Sequence, residues 1–257
     1  MKKKFFPKWK ILIKSLPILL IIILIKIVVH YFDYEIMELN ALFTSLVGAT
    51  IFLIGFLISG VLSDYKESEK IPNEIASSLK NILDDSVTLK LHISLSNFNN
   101  FIAFQKDLAN DIKLWLYKEI TTNDILKKID SFNAIIVQLD KDGVQANYII
   151  RMKNEMGNIR KTLLRIECIR DTDFILSAYA IVEAMAFIII AGLISIKMDQ
   201  FFVAIFFTVL VSFLFMYMIL LIKDLDDPFD YATNSESGTE ISLSVFHEHI
   251  NFINSNY

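Results

Sequence analysis

Phe52 and Phe56 lie one helical turn apart, and Ser45, Gly48, Gly55, Ser59 and Ser63 would share their face of a helix. At 100° per residue these residues fall within an arc of about 100°, and every Leu, Ile and Val of the same apolar stretch lies outside it. Such a face suits conduction rather than catalysis. Gly and Ser on one side of a membrane helix usually let a second helix approach closely. Two phenylalanines in the same arc would block that approach. A ring of identical helices around a common axis accommodates both kinds of residue. The small and polar positions Ser45, Gly48, Gly55, Ser59 and Ser63 would leave room for water along the path. Phe52 and Phe56 would form a stacked apolar neck that gates by dewetting.

Three further groups could carry charge chemistry. Glu183 lies well inside an apolar block, and a carboxylate at such a position is costly and seldom faces lipid. Lys26, in another apolar block, is a candidate partner. The pair can be structural, Glu183 can be protonated and hydrogen-bonded, or it can act in conduction. Asp224, Asp226, Asp227 and Asp230 in "IKDLDDPFDY" offer oxygen ligands for a hard cation, or form a solvated acidic turn. His247 and His249, two apart, could hold a metal weakly, but such a pair is more often plain surface. His30 and His92 suggest no specific chemistry.

Enzyme signatures are missing: the chain has no Gly-rich phosphate loop, no nucleophile elbow and no metal-spaced Cys/His set. The net charge of −4 offers nothing basic enough for nucleic acid. Cys168 is the only cysteine, so no intrachain disulfide can form.

Membrane helices must position these residues. Of the 257 residues 54% are apolar, and they gather in four blocks, about Ile11–Val29, Ala41–Leu62, Phe174–Ile196 and Phe201–Ile222. Each is close to the ~20 residues a helix needs to cross a bilayer core. The first block carries Lys26 near its far end and has no small-residue cleavage site after it, which argues against a signal peptide. Lys2, Lys3, Lys4, Lys8, Lys10 and Lys14 precede or open the first block. The following loop, "HYFDYEIMELN", has Asp33, Glu35 and Glu38 and no Lys or Arg. The positive-inside rule then places both termini in the cytoplasm, and the expected location is a bacterial inner membrane. Asp33, Glu35 and Glu38 would form an outer vestibule whose charge concentrates cations.

From 63 to 173 apolar residues recur at helical spacing, as in Ile75, Leu79, Ile82 and Leu83 or Ile149, Met152, Met156, Ile159, Leu163 and Ile166. Asn123-Asp124 can open one helix and Asp142-Gly143 can close it. The expected fold is all-α. Residues 1–62 hold the basic segment and two membrane helices, 63–173 a cytoplasmic helical region, 174–222 two more membrane helices, and 223–257 an acidic turn and tail. In the tail, "ISLSVFHEHI" alternates enough to lie as a strand-like strip on a neighbour, or the tail is disordered.

"FLIGF" (Phe52–Phe56), followed after some sixteen residues by "EKIP" (Glu69–Pro72), resembles the bestrophin channel family. Its pore-lining second helix carries aromatics four apart with a glycine before the second, then a charged segment ending in Leu-Pro. "IKDLDDPFDY" (Ile222–Tyr231) is similar to that family's Asn-Pro-Phe motif with its acidic run. The resemblance spans the four-helix layout but only about thirty residues of motif. It implies a homopentamer whose second helices line one central pore for small ions. Animal members conduct anions, whereas prokaryotic relatives can prefer cations. The chain departs from the family in two places. Gly48 stands where the uppermost neck residue is a branched aliphatic. Asp224 and Asp227 match calcium-clasp positions, but Asp227 replaces the asparagine and "DYATNSESG" replaces a long acidic run, which argues against calcium gating.

The expectation is therefore an oligomeric, bestrophin-like channel for small monovalent ions, leaning towards cations with chloride open. The alternative is a non-conducting membrane anchor whose helical bundle senses or binds a partner. That alternative predicts that Phe52 and Phe56 pack against helices of their own chain. A secondary transporter is a weaker third reading, since no inverted repeat is visible.

Overall fold

A computed structural model describes residues 9–91, 93–171, 176–231 and 240–257. The lysines before Trp9, His92 and the Ser/Thr-rich stretch 232–239 lie outside them. Among the described residues the fold is all-α apart from one small bridge. Chain contacts group it into two units, Met1–Tyr65 with Asp173–Asp227, and Lys66–Thr172 with Pro228–Tyr257.

The first unit holds α1 (Lys10–Tyr31), α2 (Ala41–Ser68), α7 (Leu176–Ser195) and α8 (Phe201–Asp226). Among the described residues, four helical stretches containing these helices are long and apolar enough to cross a membrane. Only 22–28% of each apolar window is buried within the chain, so most of that surface needs lipid or another subunit to cover it. The protein is an integral membrane protein. α1 packs on α7 and α8, and α7 packs on α8. α2 joins them through Phe43, Ile54, Leu57 and Val61, which share a core with Val182, Ala186, Ile189, Phe215 and Ile222. Gly192 is required for this fit, because a Cβ there would collide with the Phe43 ring. Met37–Glu38 (β1) pairs in parallel with Ile196–Lys197 (β2), a two-residue bridge that the sequence pattern does not announce.

The second unit holds α3 (Ile71–Thr88), α4 (Leu95–Leu116), α5 (Thr122–Lys141), α6 (Ala146–Asp171) and α9 (Ser244–Asn256). The apolar stripes meet as their period dictates. Ile75, Leu79, Ile82 and Leu83 of α3 are buried, as are Met152, Ile159, Leu163 and Ile166 of α6, and the two helices pack together. Each such side chain contributes roughly 1.5–3 kcal/mol relative to an exposed position. α5 begins slightly earlier than Asn123-Asp124 suggests, because Thr121 and Asp124 form a reciprocal capping box. It ends at Lys141, with Gly143 at φ +77°. Arg170 at the end of α6 donates to the carbonyls of Trp115, Leu116 and Phe229, which ties three segments of this unit together.

The tail differs from both sequence expectations. Ser244–Asn256 is helical and packs on α3 and α4 through Phe246, His249, Ile250 and Ile253. The alternation in "ISLSVFHEHI" fails at Val245, which is exposed, whereas Phe246, His249, Ile250 and Ile253 repeat at three and four over two turns, and burial follows that helical period.

Candidate functional site

α2 presents two sharply different sides. Its buried residues Phe43, Thr50, Ile54, Leu57 and Val61 form one stripe towards the rest of the first unit. At 100° per residue that stripe is centred about 180° from the midpoint of the Phe52/Phe56 arc. All of Ser45, Gly48, Phe52, Gly55, Phe56, Ser59 and Ser63 are exposed. The Phe52 and Phe56 rings are 73% and 75% exposed, and the space beside Gly48 and Gly55 is open. Neither ring packs against a helix of its own chain. The Ser45 hydroxyl donates to the Ala41 carbonyl at 2.8 Å, so its polarity is satisfied along the helix.

The charges pair differently from the sequence expectation. Lys26 does not meet Glu183. Its Nζ lies 2.8 Å from Glu35 Oε1 and donates to the carbonyls of Ile194 and Ile196, at 3.0 and 2.7 Å. Glu183 instead pairs with Lys223 of α8 at 2.5 Å, with both side chains about half exposed. The reason is depth. Lys26 sits at the level of the last turn of α7, and Glu183 is about 18 Å further back along that helix. Side chains lean towards the start of their helix, so Glu183 and Lys223 on successive helices lean towards one another.

The acidic loop is also less free than its composition implies. Glu35 is buried and lies 3.0 Å from His30 Nδ1 as well as on Lys26. Burial pushes its carboxyl up, but the hydrogen bonds and charges of Lys26 and His30 outweigh this and hold it below the usual range. Asp33 lies 3.3 Å from Lys197 in an exposed pair, whereas Glu38 is exposed at the bridge. The expectation of three uncompensated acids is thus corrected. The partners of Glu35 come from the end of α1 just before the loop, and that of Asp33 from the turn after α7, far from the loop in sequence. A lysine and a histidine four apart on α1 were the available sign of a shared acceptor.

Of the acidic run after α8, Asp230 is engaged elsewhere in its own unit. Asp230 pairs with Lys118 at 3.0 Å. Among the described residues no three His, Cys, Asp or Glu side chains gather as metal ligands. His247 and His249 are not a surface pair either, since His249 is buried between α9 and α3. Burial, then the charge of Lys80, lowers its pKa, with Asp84 opposing.

No protein-family model and no curated protein matches the sequence. Solved structures do. A bacterial bestrophin homologue from Klebsiella pneumoniae, in one of its point variants, aligns with a TM-score of 0.76 at 17% identity, over 92% of this chain and 96% of that one. Another variant gives 0.76 at 17%, over 94% and 98%. A structure described as a membrane protein gives 0.75 at 16%, over 94% and 98%. At these identities the likeness speaks for the backbone, nearly end to end in both chains: the fold is bestrophin-like.

Proposed function

We propose that this protein is a bestrophin-like ion channel, a homopentamer in the bacterial inner membrane with both termini in the cytoplasm. Copies of α2 surround a common axis and pass small monovalent ions. Phe52 and Phe56 form the neck, and Ser45, Gly48, Gly55, Ser59 and Ser63 line the path. The observation that carries this reading is the two-sidedness of α2. Its conventional hydrophobic stripe is used up inside the chain, and the opposite side carries two large aromatics among glycines and serines with nothing of its own chain over them. A face turned only to lipid would have no reason for that sorting.

The outer mouth gains its charge mainly from Glu38, because Asp33 and Glu35 are compensated. The case for cations rests on that ring of carboxylates and is smaller than the loop composition suggests; chloride passage is its direct competitor. Glu183, paired with Lys223, is structural in this account. Flux assays in liposomes with sodium, potassium and chloride gradients test the function. The double substitution Phe52→Ala/Phe56→Ala should raise leak. Unchanged flux in a well-expressed double variant would contradict the neck. No flux of any ion from the unsubstituted protein would favour a non-conducting anchor for the helical second unit.

A further inference from the structure

The loop that leads the chain into α2 is fixed by one buried cation. Lys26 is 1% exposed, although an ammonium is costly to remove from water. It donates to the Ile194 and Ile196 carbonyls, and the Glu35 carboxylate lies beside it as counter-ion, Oε1 at 2.8 Å. Glu35, 8% exposed, is held on its other oxygen by His30, whose ring stacks on Phe201 with centroids 4.0 Å apart. Two residues on, Met37 and Glu38 bridge to Ile196 and Lys197. The Asn40 side chain then accepts the Phe43 N–H at 2.9 Å, and the Phe43 ring occupies the space that Gly192 leaves free. From Glu35 to Phe43 the chain is seated on the end of α7 and the turn that follows. A slip of this loop would strand a charge in a buried site, so the ion pair admits one register where apolar contacts would admit several.

We propose that Lys26 is a positioning residue for α2. Through Glu35 and the two carbonyls it sets the rotation of that helix, so that the Phe52/Phe56 face points out of the chain and the Thr50/Ile54 side points in. Its consequence for conduction rests on the pore reading, whereas the rotation itself is a property of a single chain.

Single cysteines at Ser45 and Thr50, in a Cys168→Ser background, report the two sides of α2 by their rates of reaction with a small uncharged thiol reagent, which reaches an exposed position whether water or lipid covers it. Ser45 is exposed and Thr50 is buried, so the first should react much faster. Lys26→Met should shrink that ratio by at least about tenfold, well within what the loss of one partner of a buried pair can cost, and Lys26→Arg should restore much of it. Crosslinking between Glu38→Cys and Lys197→Cys, neighbours across the bridge, should fall in parallel. Glu35→Gln keeps the shape and removes the charge, and it takes the place of Lys26→Met if that variant does not fold. A lower melting temperature with an unchanged ratio would make Lys26 merely structural and overturn the proposal. Absence of flux from the unsubstituted protein would overturn the pore reading alone, since the ratio is read within one chain.

Discussion

On α4, Phe101 and Phe104 lie one turn apart and turn into their own unit, where both rings meet Phe132 at centroid separations of 6.0 and 5.6 Å. On α2, Phe52 and Phe56 are also one turn apart, yet both rings stand clear of the chain. Aromatic spacing alone therefore does not say what a helix face is for. The neighbours do. Phe101 and Phe104 continue an apolar stripe with Leu108, Ile112 and Trp115, all buried. Phe52 and Phe56 are set among Gly and Ser, while a separate stripe on the other side of the helix does the packing. One pair builds a core; the other is left exposed by its own chain.

This contrast can be broken most directly in the second unit. Phe101→Ala should destabilise it by about 3–5 kcal/mol, as large-to-small core changes do, read as a large drop in melting temperature. On the α2 side, Gly192→Val should cost about 1–3 kcal/mol by forcing the Phe43 ring aside. Removing the capping box with Thr121→Ala should cost about 1 kcal/mol, also read by thermal unfolding. Smallest of all in stability, Phe52→Ala/Phe56→Ala should change the melting point little, within about 0.5 kcal/mol, while raising leak. A large loss of stability in that double variant would mean that the two faces are both packing faces.

Acid should also separate the regions. His249 is held below its usual pKa of 6.5 by burial and by Lys80, against the opposing charge of Asp84. As pH falls through 6.5 the unfolded chain takes up a proton that the folded chain refuses. The stability from neutral His249 is thus complete above that value and is lost between it and the lower folded pKa. Melting curves of His249→Gln should be flatter across that window. Glu35 acts in the same sense at lower pH: its folded pKa is lowered, so its contribution is full above 4.5 and fades as pH falls through the folded value.

Much of this was legible in the sequence where period and length carry the signal. Four apolar blocks near twenty residues gave the membrane helices, and Ile75, Leu79, Ile82 and Leu83 gave the inner face of α3, because both patterns are local. The sorting of Ser45, Gly48, Phe52, Gly55, Phe56, Ser59 and Ser63 on α2 was equally local, and the structure leaves all of them exposed. Pairings between distant segments were not legible. Lys26 and Glu183 are both charges in apolar blocks, which is what makes them candidate partners. The chain doubling back after Tyr31 sends Lys26 to Glu35 instead, and the bridge from Met37 to Ile196 depends on the same reversal. The tail misled because the short alternation of "ISLSVFHEHI" stood out more than the longer spacing of Phe246, Ile250 and Ile253.

The central claim is that the Phe52/Phe56 face looks onto an axis shared by several copies. It is tested most directly by the mass of the purified particle, in detergent or nanodisc, by light scattering or native mass spectrometry. The account predicts a particle of five chains. A monomer or dimer would remove the axis, make the exposed face of α2 a lipid or partner surface, and contradict the channel.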